Sequence, residues 1–273
     1  MFPVPNSLSP SRVQSFISCP MAFRFASIEK LPEPPSVHTT RGSLVHRALE
    51  LLFMLEPSAR TNAAAQLSLD TAFAEYQTNP EFTELGLTEA QSRVFFGESS
   101  SLVDAYFAIE DPTSIREIGL ELRLEAAVGD LTLRGIIDRL ELDADGELVV
   151  TDYKTGRAPS AKYEQSSLSG VHFYSFLCQA VLGRRPSKIR LMYLKSGDII
   201  ELAPTEQSVR AVVTRTTAVW KAVEKACLKN DFQPRPSGLC NSCAFKTWCP
   251  AFGGDPSKAA AEIQRPLATV AAS

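Results

Sequence analysis

The pattern of apolar and polar positions changes period along the chain. Ser9-Pro10 pairs an N-cap residue with a proline suited to the first helical turn. Val13, Phe16, Ile17, Met21 and Phe25 then recur at helical spacing, with Pro20 placed to end or kink that helix. Residues 31–36, Leu-Pro-Glu-Pro-Pro-Ser, read as a stiff linker. A second helix is predicted from about 41 to 55, with Leu44, Val45, Ala48, Leu49 and Leu52 on its apolar face. Two more are predicted over 61–77 and 88–108. After Pro112 the period falls to two: 115–125 alternates as a strand does, and 131–142 with 147–154 reads as a β-hairpin. A helix over 160–183, short strands over 188–194 and 198–203, and a long helix over 206–230 follow. A cysteine-rich loop covers 236–253, and the alanine-rich residues 255–273 lack an apolar face, as a disordered tail would. The order predicts an α/β protein with a mostly helical front.

Composition narrows the class. With 273 residues, 44% hydrophobic and 22% charged, the chain can bury a sizeable core, which excludes a disordered chain or a disulfide mini-scaffold. No run of about 18 apolar residues exists to cross a membrane. The segment Met1–Asn6 lacks the basic and then apolar regions of a signal peptide, so a cytoplasmic location is expected. The net charge of −3 gives no global basic field; a nucleic-acid partner must meet a local patch or metal ions. Six cysteines in such a chain argue for thiol or metal chemistry rather than disulfides.

The chemistry concentrates in the hairpin. Asp145-Gly146 marks its turn, and a three-residue loop of Ala144, Asp145 and Gly146 sets Asp143 opposite Glu147. In that register Asp138 lies opposite Asp152, where Cβ atoms are about 5 Å apart. Period two puts Asp152 and Lys154 on one face with Leu148 and Val150, and Asp138 on the matching face with Ile136 and Leu140. Two carboxylates that close, partly desolvated, do not both ionise unless a cation joins them. Mg²⁺ or Mn²⁺ suits oxygen donors, and Lys154 beside it is placed to hold a water or offset phosphoryl charge. A surface hairpin with an ordinary Asp–Lys pair is the competing reading, since a one-residue slip moves Asp138 off the face.

The run Gly135-Ile-Ile-Asp138 … Asp152-Tyr153-Lys154-Thr155-Gly156 resembles the core of the PD-(D/E)XK nucleases, specifically their RecB-type exonuclease branch. The resemblance implies a restriction-endonuclease-like core, a central mixed sheet flanked by helices. It also implies Asp138 and Asp152 as metal ligands, Lys154 as the catalytic lysine, and the Tyr153 carbonyl as a further ligand. The branch carries a histidine in a Gly-x-x-x-His pattern, which Gly42 and His46 match; alone, His46 would read as a packed or surface residue. Glu121 resembles the acidic residue on the strand before the hairpin, its alternative being an exposed strand glutamate. A Gln-x-x-x-Tyr motif follows in the family: Tyr174 fits the tyrosine, but Gly170 stands where glutamine is expected. His38 and His172 match nothing.

Cys240, Cys243 and Cys249 form a compact ligand cluster that needs a fourth donor. Cys178 and Cys227 fall inside predicted helices, where a small buried apolar residue is the expected role. A remote Cys19 followed by Cys-x2-Cys-x5-Cys resembles the iron–sulfur staple of AddB-type nucleases, which implies a [4Fe–4S] cluster on Cys19, Cys240, Cys243 and Cys249. Structural Zn²⁺ in the same thiolates is the alternative.

Arg184, Arg185, Lys188, Arg190, Lys195 and Arg235 gather locally as candidate phosphate contacts or, equally, a solvated charged face. No Gly-x-x-x-x-Gly-Lys-Ser/Thr motif is present, so unwinding would need a separate helicase. The expectation is one nuclease domain over 1–254, a Mg²⁺- or Mn²⁺-dependent deoxyribonuclease acting on DNA ends in repair or recombination. The rival is an iron–sulfur or zinc-stabilised DNA-binding module with an inactive nuclease centre.

Overall fold

A computed structural model describes residues 1–159 and 161–263, the side chains of 161–169 and 262–263 excepted. In chain order it contains β1 (Ser7–Leu8), α1 (Pro10–Ser18), α2 (Pro20–Phe23), α3 (Val37–Phe53), α4 (Asn62–Tyr76), α5 (Pro80–Thr83) and α6 (Glu89–Tyr106). Then come β2 (Arg116–Val128), β3 (Leu131–Leu142), β4 (Leu148–Lys154), α7 (Ala161–Leu182), β5 (Lys188–Tyr193), β6 (Asp198–Leu202), α8 (Glu206–Lys229) and α9 (Ala259–Ile263). The α/β order read from the sequence is observed. Of the expected tail, residues 264–273 lie outside the described residues. No helix of the described chain is long and apolar enough to cross a membrane.

Local chemistry explains the boundaries. Ser9 caps α1, its side chain accepting from the Arg12 N–H. Helix α3 starts at Val37, four residues before the predicted position, because Ser36 and Thr39 form a reciprocal capping box directly after Pro34-Pro35. Pro20 divides the first helical stretch, with α1 ending at Ser18 and α2 opening at the proline.

The chain forms two compact units. The larger comprises residues 35–126 and 134–212. In it the second half of β3 pairs antiparallel with β4 in the predicted register, Arg139 opposite Thr151 and Leu142 opposite Leu148. Gly146 takes the turn at φ 75°, a left-handed value that favours glycine. β4 pairs parallel with β5, and β5 antiparallel with β6. Helices α3, α4 and α6 pack on one face around Leu44, Leu49, Leu52, Phe95 and Tyr106, joined by Tyr153, Met192 and Leu194 from β4, β5 and the residue after β5. On the other face Gly135 admits α7: a Cβ there would come within 2.9 Å of Leu177 and 3.2 Å of Tyr174.

The smaller unit comprises residues 1–34, 127–133 and 213–273. There β1, too short for its period to show in sequence, pairs parallel with the start of β3, Ser7 opposite Thr132. The N-terminal segment is tied to α8 by the Phe2 N–H donating to the Cys227 carbonyl at 3.1 Å and by Trp220 Nε1 donating to the Pro5 carbonyl at 3.0 Å. Cys178 in the larger unit and Cys227 in the smaller are fully buried, the apolar role expected of each.

Candidate active site

Three elements of the larger unit bring acids and a histidine together at the β3–β4 pair. His46, one turn beyond Gly42 on α3, sets Nε2 at 3.0 Å from the Tyr153 carbonyl. Its Nδ1 then faces Asp138 Oδ2 at 3.6 Å and Glu121 Oε1 at 4.0 Å. With Nε2–H donating to the carbonyl, Nδ1 keeps a lone pair turned toward the two carboxylates. Burial lowers the His46 pKa, against the pull of Asp152 and Glu121, which favours this neutral form.

Asp138 accepts the Tyr153 N–H through Oδ2 at 2.7 Å, so the Tyr153 peptide orients both neighbours, one with its N–H and one with its carbonyl. Asp152 is buried and its Oδ2 meets Lys154 Nζ at 2.5 Å. Lys154 is 45% exposed; burial pulls its ammonium down, but Asp152 outweighs this and holds it charged. Burial and then Asp152 push the Asp138 carboxyl up to about 8. Burial and then Asp138 push Glu121 up to about 7. Glu121 also adopts φ 43°, a left-handed conformation uncommon for a glutamate, within β2.

Among the described residues, His46, Glu121 and Asp138 are the group of three metal-binding residue types whose ligand atoms all lie within 4.8 Å of one another. A Mg²⁺-sized ion with donors at about 2.1 Å holds neighbouring donors about 3 Å and opposite ones about 4.2 Å apart. The separations here fit such an ion, and its charge would relieve the crowded carboxylates. Tyr174 lies near the same acids: burial, then Asp152, Asp138 and Glu121, all raise its pKa.

Two of the basic candidates, Arg184 and Lys188, are paired elsewhere. Arg184 pairs with Glu147 at 3.1 Å, and Lys188 with Glu201 at 3.6 Å, while Lys188 sits opposite Val149, at the end of β4 away from Lys154. Arg185, between them in sequence, is half-buried.

Sequence reasoning missed the support behind the site. Arg139, fully buried on the strand face opposite Asp138, donates to Tyr153 Oη at 2.6 Å, Thr151 Oγ1 at 3.3 Å and Glu110 Oε2 at 3.1 Å, and pairs with Glu141. The signal was present: Arg139 and Glu141 occupy inward positions of a period-two strand, where a charge demands a partner.

In the smaller unit Cys19, Cys240, Cys243 and Cys249 line one pocket with Met21, Phe25 and Phe245. The Arg235 N–H donates to Cys19 Sγ at 3.5 Å and the Ser237 N–H to Cys240 Sγ at 3.3 Å. Gly254 closes the loop so tightly that a Cβ would fall 2.2 Å from the Thr247 carbonyl oxygen.

The fold and this constellation define a nuclease of the restriction-endonuclease-like class. A model of the PD-(D/E)XK nuclease superfamily matches residues 7–250, and the chain belongs to that superfamily. The Gene 69 protein of Mycobacterium phage D29 is 24% identical over 274 aligned positions, covering 89% of this chain and 96% of that protein. One subunit of the ATP-dependent helicase/deoxyribonuclease of Streptococcus equi subsp. zooepidemicus is 28% identical over 156 positions, 55% of this chain but 14% of its own length. A crystal structure from Eubacterium rectale, of a protein provisionally assigned as an exonuclease, shares the fold: TM-score 0.58 at 11% identity, with 87% of each chain covered.

Proposed function

We propose that this protein is a divalent-metal-dependent deoxyribonuclease, of exonuclease type, serving DNA repair or recombination. The observation that carries the reading is the convergence of Asp138, Glu121 and His46 beside the Asp152–Lys154 pair in a chain of this superfamily. Asp138, Asp152, His46 Nδ1 and Glu121 are the donors for Mg²⁺ or Mn²⁺; the Tyr153 carbonyl faces His46 Nε2, on the other side of the ring from Nδ1, and serves the site by orienting the imidazole. The bound cation lowers the pKa of a water and offsets charge on the phosphoryl group. Asp152 holds the Lys154 ammonium in place, where it would offset charge growing on the non-bridging phosphate oxygens.

The four thiols are assigned to a structural [4Fe–4S] cluster. All four line one pocket with Met21, Phe25 and Phe245, and their order along the chain resembles that of the cluster-bearing nucleases. By likeness to a protein whose name couples helicase and deoxyribonuclease, a separate helicase is the partner for unwinding.

The test is cleavage of end-labelled single- and double-stranded DNA by anaerobically purified protein with Mn²⁺ or Mg²⁺, Lys154→Ala alongside. Metal-dependent cleavage that falls at least about 100-fold in the variant is expected. Metal-loaded protein that binds both DNAs and cuts neither overturns the reading in favour of a binding module.

A further inference from the structure

Beyond Lys154 the larger unit contains a groove of about 530 Å³ that the mechanism above does not use. Its walls are the start of α3, the outer face of α6, the loop after β4 and the residues following β5. Three cations line it, Arg41, Arg157 and Lys195, against one carboxylate, Glu98. Arg41 pairs with Glu98, yet its Nε is buried with no hydrogen-bond partner among the described residues. Arg157 and Lys195 are exposed, and neither forms an ion pair among the described residues. In a chain of net charge −3, whose other candidate phosphate contacts are largely neutralised by glutamates, this is a local excess of unpaired positive charge.

The groove begins at the loop that follows Lys154. Thr155 and Gly156, which follow Lys154 directly, line it. A Cβ on Gly42 would sit 3.4 Å from Thr155 Oγ1, so α3 runs against this loop. His38, Arg41, Gly42 and His46 lie at helical spacing along one side of α3, and at 1.5 Å per residue the His38 end is about 12 Å from His46. A strand whose scissile phosphate lies at Asp138 and Lys154 therefore has its adjoining nucleotides delivered into the groove. Leu102 and Leu194 give an apolar floor for sugar or base, and Ser101 and Thr155 offer hydroxyls. The volume is that of a small-ligand site, room for about one or two nucleotides, too little for a duplex.

We propose that this groove binds the sugar–phosphate backbone of one unpaired DNA strand next to the scissile position, with Arg157 and Lys195 as its phosphate contacts. The assignment deepens the nuclease reading and rests on it. The test measures binding of a fluorescein-labelled oligothymidylate in EDTA, so that it does not depend on cleavage. The double variant Arg157→Ala/Lys195→Ala should bind at least tenfold more weakly. Its slope of log K against log salt should flatten by about 1.4, the value for two lost contacts on a single strand. The charge-conserving double variant Arg157→Lys/Lys195→Arg should restore most of the affinity, which a general folding defect in the alanine variant would not predict. Unchanged affinity and slope in the alanine variant overturn the proposal, as does an equal loss on a blunt duplex, which removes the single-strand assignment. Wild-type hydrolysis of bis(p-nitrophenyl) phosphate with Mn²⁺, run in parallel, separates the two claims. Its absence sinks the nuclease reading, while an unaffected double variant beside an active wild type sinks the groove alone.

Discussion

Asp138 as a carboxylate carries a cost that a proton or a bound cation would remove. It accepts the Tyr153 N–H, but burial and Asp152 push its carboxyl from 3.8 to about 8. Because the folded-state pKa is raised, the group's contribution to stability is fully present below the unfolded value and is lost as pH rises through the folded one. In EDTA the wild type should therefore lose stability between about pH 4 and 8 relative to Asp138→Asn, which keeps the acceptor and drops the charge. Melting curves at pH 5 and pH 9 check this: the variant's advantage should be larger at pH 9. Added Mg²⁺ should raise the wild-type Tm and leave the variant's nearly unmoved. A variant less stable than wild type at pH 9 without metal contradicts the account. At this scale Asp138, Asp152 and Lys154 were legible, because a two-residue period and a glycine turn determine which side chains meet. The left-handed backbone of Glu121 was not, since nothing in an alternating strand marks the residue that breaks from it.

The β3–β4 hairpin is held from behind by the Arg139 network. Tyr153 links the two faces: its hydroxyl takes the Arg139 guanidinium while its peptide orients His46 and Asp138. Tyr153→Phe should keep the fold, cost about 1–3 kcal/mol for the donor left unpaired, and weaken apparent Mn²⁺ affinity about 10- to 100-fold. Isothermal titration and thermal melts read both effects; unchanged metal affinity would separate the network from the site. Arg139→Leu, leaving Glu110 and Glu141 facing each other in the interior, should cost about 3–5 kcal/mol, measured by denaturant unfolding. The hairpin register was readable because turn chemistry and alternation agree. Arg139's partner Glu110 was not, because a contact spanning 29 residues leaves no local pattern.

For the molecule as a whole, each unit has its own support, the acidic cluster in one and the thiol pocket in the other. Gly254→Ala tests the second, since the added methyl would meet backbone rather than a side chain that can move aside. Iron content of anaerobically purified variant, and its Tm, should fall well below wild type. Full iron retention would show that the cysteine loop tolerates opening. Placing all four thiols in one pocket needed the fold, since Cys19 lies 221 positions from Cys240; only the trio is local.

The central claim is that His46, Glu121, Asp138 and Asp152 hold the working cation. Anomalous diffraction from crystals soaked in Mn²⁺ tests it most directly. The account predicts a peak within about 2.2 Å of Asp138 and His46 Nδ1, with Asp152 or Glu121 completing the protein donors. Well-occupied Mn²⁺ elsewhere, with no density between these side chains, would contradict it.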